Sequence, residues 1–248
     1  MARHRHLNRA PLREALIDVQ FSPPLEMPAV ERAAHSFGPH FSKRVQLWES
    51  KFQLRADAST GAVATSAPNG VRFDSESPPA VLQCRVNEFT FSRLPPYTEW
   101  EDLLGRAEGH WAEFQAIARP ETVVRLAVRY INAISLPVPI LNFADYLTSP
   151  PEIPATLPQN VMAFMSRVIS VDPATRTQAI VTQALEEPPV LGAENTVNVF
   201  LDIDVIRDGL SIPAQDRETI HTQLQELRLR KNEIFFAHIT ERTAGMFE

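Results

Sequence analysis

The sequence predicts an α+β protein made of two similar β-α-β-β-β-α halves. They share one mostly antiparallel, twisted sheet with long helices packed on one face. Three observations support this fold class: an alternating strand opens each half, a proline-rich bend follows that strand, and an amphipathic helix closes the half. We expect a single domain over residues 1–248, built of pseudo-repeats at about 8–119 and 120–248.

The first half opens at residues 14–21, where apolar and polar residues alternate as in a half-buried strand. The Pro23-Pro24 pair ends this strand, and a helix is predicted from Pro28 to Arg44 with a break at Gly38-Pro39. Further strands are predicted at residues 46–54, 71–74 and 81–94.

A helix closes the first half. Thr98 precedes Glu101 by three residues, which is the spacing of a capping box, and so marks the start of this helix. Trp100, Trp111 and Phe114 follow at spacings that favour one buried helical face over a base-stacking platform.

The second half repeats this order of elements from Val123. A long strand is predicted to Ile134, a short helix at Asn142 to Leu147, and a closing helix from about Asp216 to Thr240. The apolar stripe of the closing helix is Ile220, Leu224, Leu227, Ile234 and Phe235. Strands between the two helices are predicted at residues 163–171, 177–185 and 196–206.

Composition narrows the classes of function. The formal net charge of −6 and the pI of about 5.7 argue against general binding of nucleic acid or of anionic membranes, which depends on concentrated Lys and Arg. Cys84 is the only cysteine, which excludes an intrachain disulfide and predicts a small core residue. No apolar run approaches the ~18–20 residues of a membrane span, and no secretory signal is recognised, so we expect a cytoplasmic protein.

Neither a cofactor nor a metal ion is expected from the sequence. It contains eight glycines and lacks the Gly-x-Gly-x-x-Gly and Walker-type loops that cradle phosphates. The seven histidines are scattered, without the close spacing of a zinc site.

Charged residues on three predicted strands form a candidate binding surface on the uncovered face of the sheet. Asp202 and Asp204 are two residues apart and therefore project from the same face of their strand. The same alternation places Arg125 with Arg129, and Glu14 with Asp18. These six residues are interpreted in three ways: a ladder of ion pairs on a solvated face, a concave surface that receives a peptide, nucleotide or anionic metabolite, or a metal-dependent hydrolytic site.

Four segments resemble a sporadically distributed family of bacterial and archaeal proteins of about this length, which has no assigned molecular activity. They are residues 8–21 (NRAPLREALIDVQF), 125–132 (RLAVRYIN), 201–204 (LDID) and 232–240 (NEIFFAHIT). The resemblance spans essentially the whole chain. It implies a self-contained prokaryotic protein, of a kind common in mobile defence or toxin–antitoxin gene modules.

For function we expect a non-enzymatic binding or regulatory protein that acts on a partner protein. The alternative is a metal-dependent hydrolase or nuclease-like enzyme that uses Asp202 and Asp204 with Arg125 or Arg129. A homodimer is left open, because the closing helix has the length for a dimer seam. The alternative fold is a ferredoxin-like first half joined to an independent small α+β domain.

Overall fold

The computed structural model of the chain describes residues 1–55, 61–97, 99–140, 142–186 and 196–248, with the backbone alone for residues 52–55 and 61–64. The strands are β1 (Leu12–Ser22), β2 (Lys43–Arg55), β3 (Gly61–Glu76), β4 (Pro79–Arg85), β5 (Glu88–Arg93), β6 (Thr122–Pro137), β7 (Met165–Asp172), β8 (Thr177–Leu185) and β9 (Thr196–Pro213). The helices are α1 (Met27–Phe37), α2 (Trp100–Ala118), α3 (Arg217–His238) and α4 (Glu241–Gly245).

The strands belong to one antiparallel sheet in the order β2-β3-β4-β5-β1-β6-β9-β8-β7. The predicted α+β class and the predicted antiparallel sheet are confirmed. In the part of the chain that the structure describes, none of the helices combines the length and the apolar composition that a membrane crossing requires.

The structure corrects several element boundaries of the first half. Helix α1 ends at Phe37 and not at Arg44, because a 3₁₀ turn at Gly38–His40 follows it and β2 begins at Lys43. The strand predicted at 81–94 is a hairpin of β4 and β5, with Val86 and Asn87 between them. Apolar and polar residues alternate from Leu82 to Asn87 and again from Glu88 to Ser92, so alternation alone does not reveal the two-residue connection.

Two helix predictions have other outcomes. The short helix predicted at Asn142 to Leu147 is only a 3₁₀ turn at Phe143–Asp145, which the Asn142 side chain caps by accepting from the backbone N–H of Ala144. Thr98, the predicted capping residue of α2, lies outside the described residues, and Glu99 directly precedes the helix.

The chain divides into two compact units. The terminal unit contains Met1–Leu16, Leu126–Gly209 and Glu218–Glu248, and the inner unit contains Ile17–Arg125 and Leu210–Arg217. Each unit takes residues from both predicted pseudo-repeats, because the division falls within β1, β6 and β9.

Aromatic rings dominate the core of the inner unit. Phe21 of β1 and Phe89 of β5 pack on Trp111 and Phe114 of α2, with ring centroids 5.4 to 6.1 Å apart. Burial of each such side chain contributes about 1.5–3 kcal/mol relative to exposure. The predicted burial of the α2 aromatic residues is therefore confirmed, and Cys84 is buried as expected.

Strands β6 and β9 supply the core of the terminal unit together with α3. Four of the five residues predicted for the stripe of α3 are confirmed as buried: Ile220, Leu224, Leu227 and Phe235. The prediction is wrong for Ile234, which is partly exposed, and it missed Lys231, which is buried on this stripe. The Lys231 Nζ lies 3.4 Å from the centroid of the Tyr130 ring of β6.

Candidate functional site

In the terminal unit, an ion pair joins two of the predicted site residues. Arg129 on β6 donates from Nε to Asp202 Oδ1 over 2.8 Å and from Nη2 to Asp202 Oδ2 over 2.6 Å. This two-point geometry matches the flat guanidinium to the flat carboxylate and is the strongest form of the pair. The predicted contact between opposite charges is confirmed here, and both oxygens of Asp202 are engaged.

Two further predicted residues act on this pair through their charge. The pKa of Arg129 is raised, first by the hydrogen bond to Asp202 and then by the charges of Asp202, Asp204 and Glu14, against the effect of burial. Glu14 and Asp204 thus belong to the electrostatic environment of Arg129. Three carboxylates around one guanidinium leave this site acidic.

Asp202→Asn is expected to cost no more than about 1 kcal/mol of unfolding free energy, because the Arg129 side chain is 40% exposed and water screens the pair. Urea denaturation measures this cost. Glu233→Gln, which alters the exposed Arg230–Glu233 pair on α3, is the matched control. A wild-type melting temperature that rises by several degrees with Mg²⁺ or Mn²⁺, and no longer rises in Asp202→Asn, would instead favour the hydrolase alternative.

In the inner unit, Asp18 on β1 is the centre of a second polar group. Its Oδ1 accepts from Arg125 Nη1 over 2.6 Å, and its Oδ2 accepts from the Thr90 hydroxyl over 3.1 Å. Asp18 is only 5% exposed, so the environment of this pair has a lower effective dielectric than that of a solvated sheet face. The interpretation as a solvated ladder therefore does not describe Asp18.

A second carboxylate, that of Glu88 on β5, adjoins Asp18. Glu88 accepts from the Gln20 amide over 3.2 Å and forms an ion pair with Arg85 over 3.3 Å. Burial raises the pKa of Asp18 well above its ordinary value, and the charge and hydrogen bond of Glu88 raise it further, while Arg125 and Thr90 oppose the shift. Asp18 therefore retains its proton to a higher pH than an exposed carboxyl does.

The sequence interpretation missed Glu88 and Thr90. Both follow from the alternation of β5, where Glu88, Thr90 and Ser92 share one face and Phe89 and Phe91 the other. The pattern was available in the sequence, but the hairpin had to be recognised before the pattern could be assigned to a separate strand.

A groove between α1 and β2 is a further feature of the inner unit that the sequence interpretation did not predict. It has a volume of about 660 Å³, and its lining residues are Glu31, Ala34, His35, Gly38, Pro39, Arg44, Gln46 and Phe73. Trp48 lies two residues beyond Gln46 on β2, where the register with β3 shifts, and it is 60% exposed. An exposed indole on a strand that lines a groove is a candidate contact for a partner, because tryptophan is enriched among the residues that dominate interface binding energy.

Comparison with known proteins assigns no family. No protein-family description matches the chain, and none of the curated proteins is detectably similar to it in sequence. Within the described residues, no three His, Cys, Asp or Glu side chains are grouped so that they could hold a metal ion.

Proposed function

We propose that this protein is a non-enzymatic binding protein that engages a partner protein through the groove between α1 and β2. The observation that carries the proposal is the exposed indole of Trp48 on β2, the strand that supplies Arg44 and Gln46 to this groove. Tryptophan and arginine are enriched among the few residues that dominate the binding energy of protein interfaces. Trp48 and Arg44, both on β2, provide such a pair.

The chemistry of the groove defines the segment that fits it. Ala34 and Phe73 offer apolar surface, whereas Glu31 and Arg44 offer opposite charges. A protein segment with an apolar side chain flanked by a carboxylate and a hydrogen-bond donor satisfies all of these groups. Mixed apolar and polar lining of this kind is typical of interfaces between proteins.

The polar groups of the sheet are less suited to catalysis. Arg129 engages both oxygens of Asp202, and Arg125 and Thr90 engage both oxygens of Asp18. A carboxylate that binds a metal or moves a proton must exchange these partners for its substrate. The contacts therefore favour binding over the hydrolase alternative.

Trp48→Ser and Arg44→Glu are each expected to weaken partner binding by roughly thirtyfold, the effect of losing about 2 kcal/mol at an interface anchor. The tagged chain is purified from its host, its partner is identified by mass spectrometry, and the affinity of the purified partner is measured by calorimetry. Leu229→Ser, which removes an exposed apolar side chain of α3, is the control. Equal affinity of wild type, Trp48→Ser and Arg44→Glu would exclude the groove as the binding surface.

An internal duplication is part of the proposal. From the central strands outward, the strand order is β1-β5-β4-β3-β2 on one side and β6-β9-β8-β7 on the other. On both sides the first strand of the half is followed by the last strand before a long helix and then by the others in reverse chain order. The halves differ because the first has one more strand and a regular helix α1, where the second has a 3₁₀ turn.

The cellular setting is also proposed. The resemblance to the sporadic bacterial and archaeal family supports a cytoplasmic prokaryotic protein within a mobile defence or toxin–antitoxin type gene module.

A further inference from the structure

Strand β7 in the terminal unit is an exposed edge. Among the described residues its strand neighbour is β8 alone, and it ends the strand order of the sheet. Its apolar side chains are more than half exposed, from 54% for Ile169 to 79% for Met165, with Val168 and Val171 between these values. The strand therefore presents apolar side chains together with unpaired backbone groups.

The usual protections of an edge strand are missing from these eight described residues. They contain no proline, their register with β8 is unbroken, and Arg167 is the only charged residue before the terminal Asp172. Exposed edges of this kind pair with other chains unless charges, prolines or bulges prevent it. A cover for β7 is therefore expected in the functional protein.

Backbone hydrogen bonding identifies the groups that remain available. The carbonyl of Phe164 accepts from the N–H of Leu185 over 3.0 Å, so residue 164 faces β8. Alternation then directs the N–H and C=O groups of Met165, Arg167, Ile169 and Val171 away from β8. These four residues form the free edge.

We propose that the cover is β7 of a second copy of this chain, paired antiparallel about a two-fold axis at Val168. The strand reads nearly the same in both directions from this residue (Met-Ser-Arg-Val-Ile-Ser-Val). In this register Val168 faces its own copy, and Met165 faces Val171. Ser166 faces Ser170, and Arg167 faces Ile169.

This register satisfies the backbone hydrogen-bonding groups and avoids unfavourable side-chain pairs. The opposed pairs 165/171 and 167/169 consist of residues whose backbone groups point outward, so each pair exchanges two hydrogen bonds. A shift that centres the axis on Arg167 places two like charges opposite each other, and a shift to Ile169 sets Val168 against Ser170 and Ser166 against Asp172. The two-fold symmetry makes the interface self-complementary.

The dimer is expected to be reversible. One eight-residue edge buries less than the ~1,600 Å² of a standard stable interface, so a Kd on the order of 1–10 µM is expected. This inference goes beyond the proposed partner binding and uses a different unit of the chain, so either can fail without the other.

The first test is sedimentation velocity of the full chain at 1–200 µM. Wild type is expected to shift from monomer to dimer over this range, whereas Val168→Lys is expected to remain monomeric because it sets two ammonium groups opposite each other. Leu229→Lys adds the same charge on α3 and is expected to dimerise like wild type. A wild type that stays monomeric at 200 µM, or a Val168→Lys variant that dimerises equally, overturns the proposal.

The second test fixes the register. Val168→Cys places two thiols in a directly opposed pair with Cα atoms about 4.5 Å apart and is expected to form an intermolecular disulfide under mild oxidation. Ile169→Cys is the control, because Ile169 is 54% exposed and Val168 is 58% exposed. In the proposed register residue 169 faces Arg167 of the other copy, so this variant is expected to remain largely unlinked. The native Cys84 is buried and does not compete. Equal rates of linkage for the two variants overturn the assigned register.

Discussion

Replacing Lys231 by methionine is expected to stabilise the protein at neutral pH and to remove much of its gain in stability toward alkaline pH. Burial lowers the pKa of Lys231 from 10.5 to about 7, and the charge of Arg228 adds to this effect. The ammonium form is therefore costly in the folded protein, while a methionine of similar length fills the same space without a charge.

The direction of the pH dependence follows from proton binding. Between pH 7 and 10.5 the unfolded chain holds a proton on Lys231 that the folded chain has released. Raising the pH through this window therefore favours the folded state, by at most about 1.4 kcal/mol per pH unit. The centroid of the Tyr130 ring lies 3.4 Å from Nζ, and the ring face stabilises the ammonium by about 2 kcal/mol. This contact reduces the rise in unfolding free energy with pH.

Urea denaturation at pH 7, 8, 9 and 9.5 measures the effect. The unfolding free energy of wild type is expected to rise by about 2–3 kcal/mol relative to Lys231→Met over this range. Lys43→Met, which alters an exposed lysine of β2, is expected to follow the wild-type profile. Parallel pH profiles for wild type and Lys231→Met would show that the amine is solvated or compensated in the folded protein.

Lys231 also illustrates what the sequence could predict. It lies four residues after Leu227 and four before Phe235, so helical periodicity places it on the buried stripe. The apolar residues of the stripe were sufficient to predict the helix and its orientation. The neighbouring strand, which supplies the Tyr130 ring, determines whether a lysine on such a stripe stays buried or extends to water. Periodicity along one helix carries no information about that strand.

The candidate site was also only partly predictable, because its contacts join residues on different strands. Alternation along single strands predicts that Arg125 shares a face with Arg129, and Asp202 with Asp204. The partners across strands depend on register, which determines that Arg129 meets Asp202 and that Thr90 meets Asp18. The exposure of β7 is of the same kind, because the apolar residues at 163–171 predicted a strand and gave no sign that it ends the sheet.

At a pH high enough to ionise Asp18, Arg125→Met is expected to destabilise the protein by up to about 3–5 kcal/mol, the loss typical of leaving one partner of a buried pair uncompensated. Asp18 would then retain only Thr90 as a stabilising partner beside the Glu88 carboxylate. In the Arg125→Met, Asp18→Asn double variant no charge remains to be compensated at this position. Most of the lost stability is expected to return.

The destabilisation by Arg125→Met is expected to shrink as the pH falls toward 5. Arg125 opposes the upward shift of the Asp18 pKa, so its removal raises that pKa further above the ordinary value of 3.8. Between the raised pKa of Asp18 in wild type and its still higher pKa in the variant, the folded variant holds a proton that folded wild type has released, so the stability deficit of the variant grows as the pH rises and shrinks as it falls. Arg106→Met, which breaks the exposed pair with Asp102 on α2, is the control and should cost about 0–0.5 kcal/mol at every pH. A loss of unfolding free energy that is independent of pH and persists in the double variant would contradict this prediction. It would mean that the aliphatic part of Arg125 stabilises the sheet by packing and that the buried Asp18 carboxyl is already neutral.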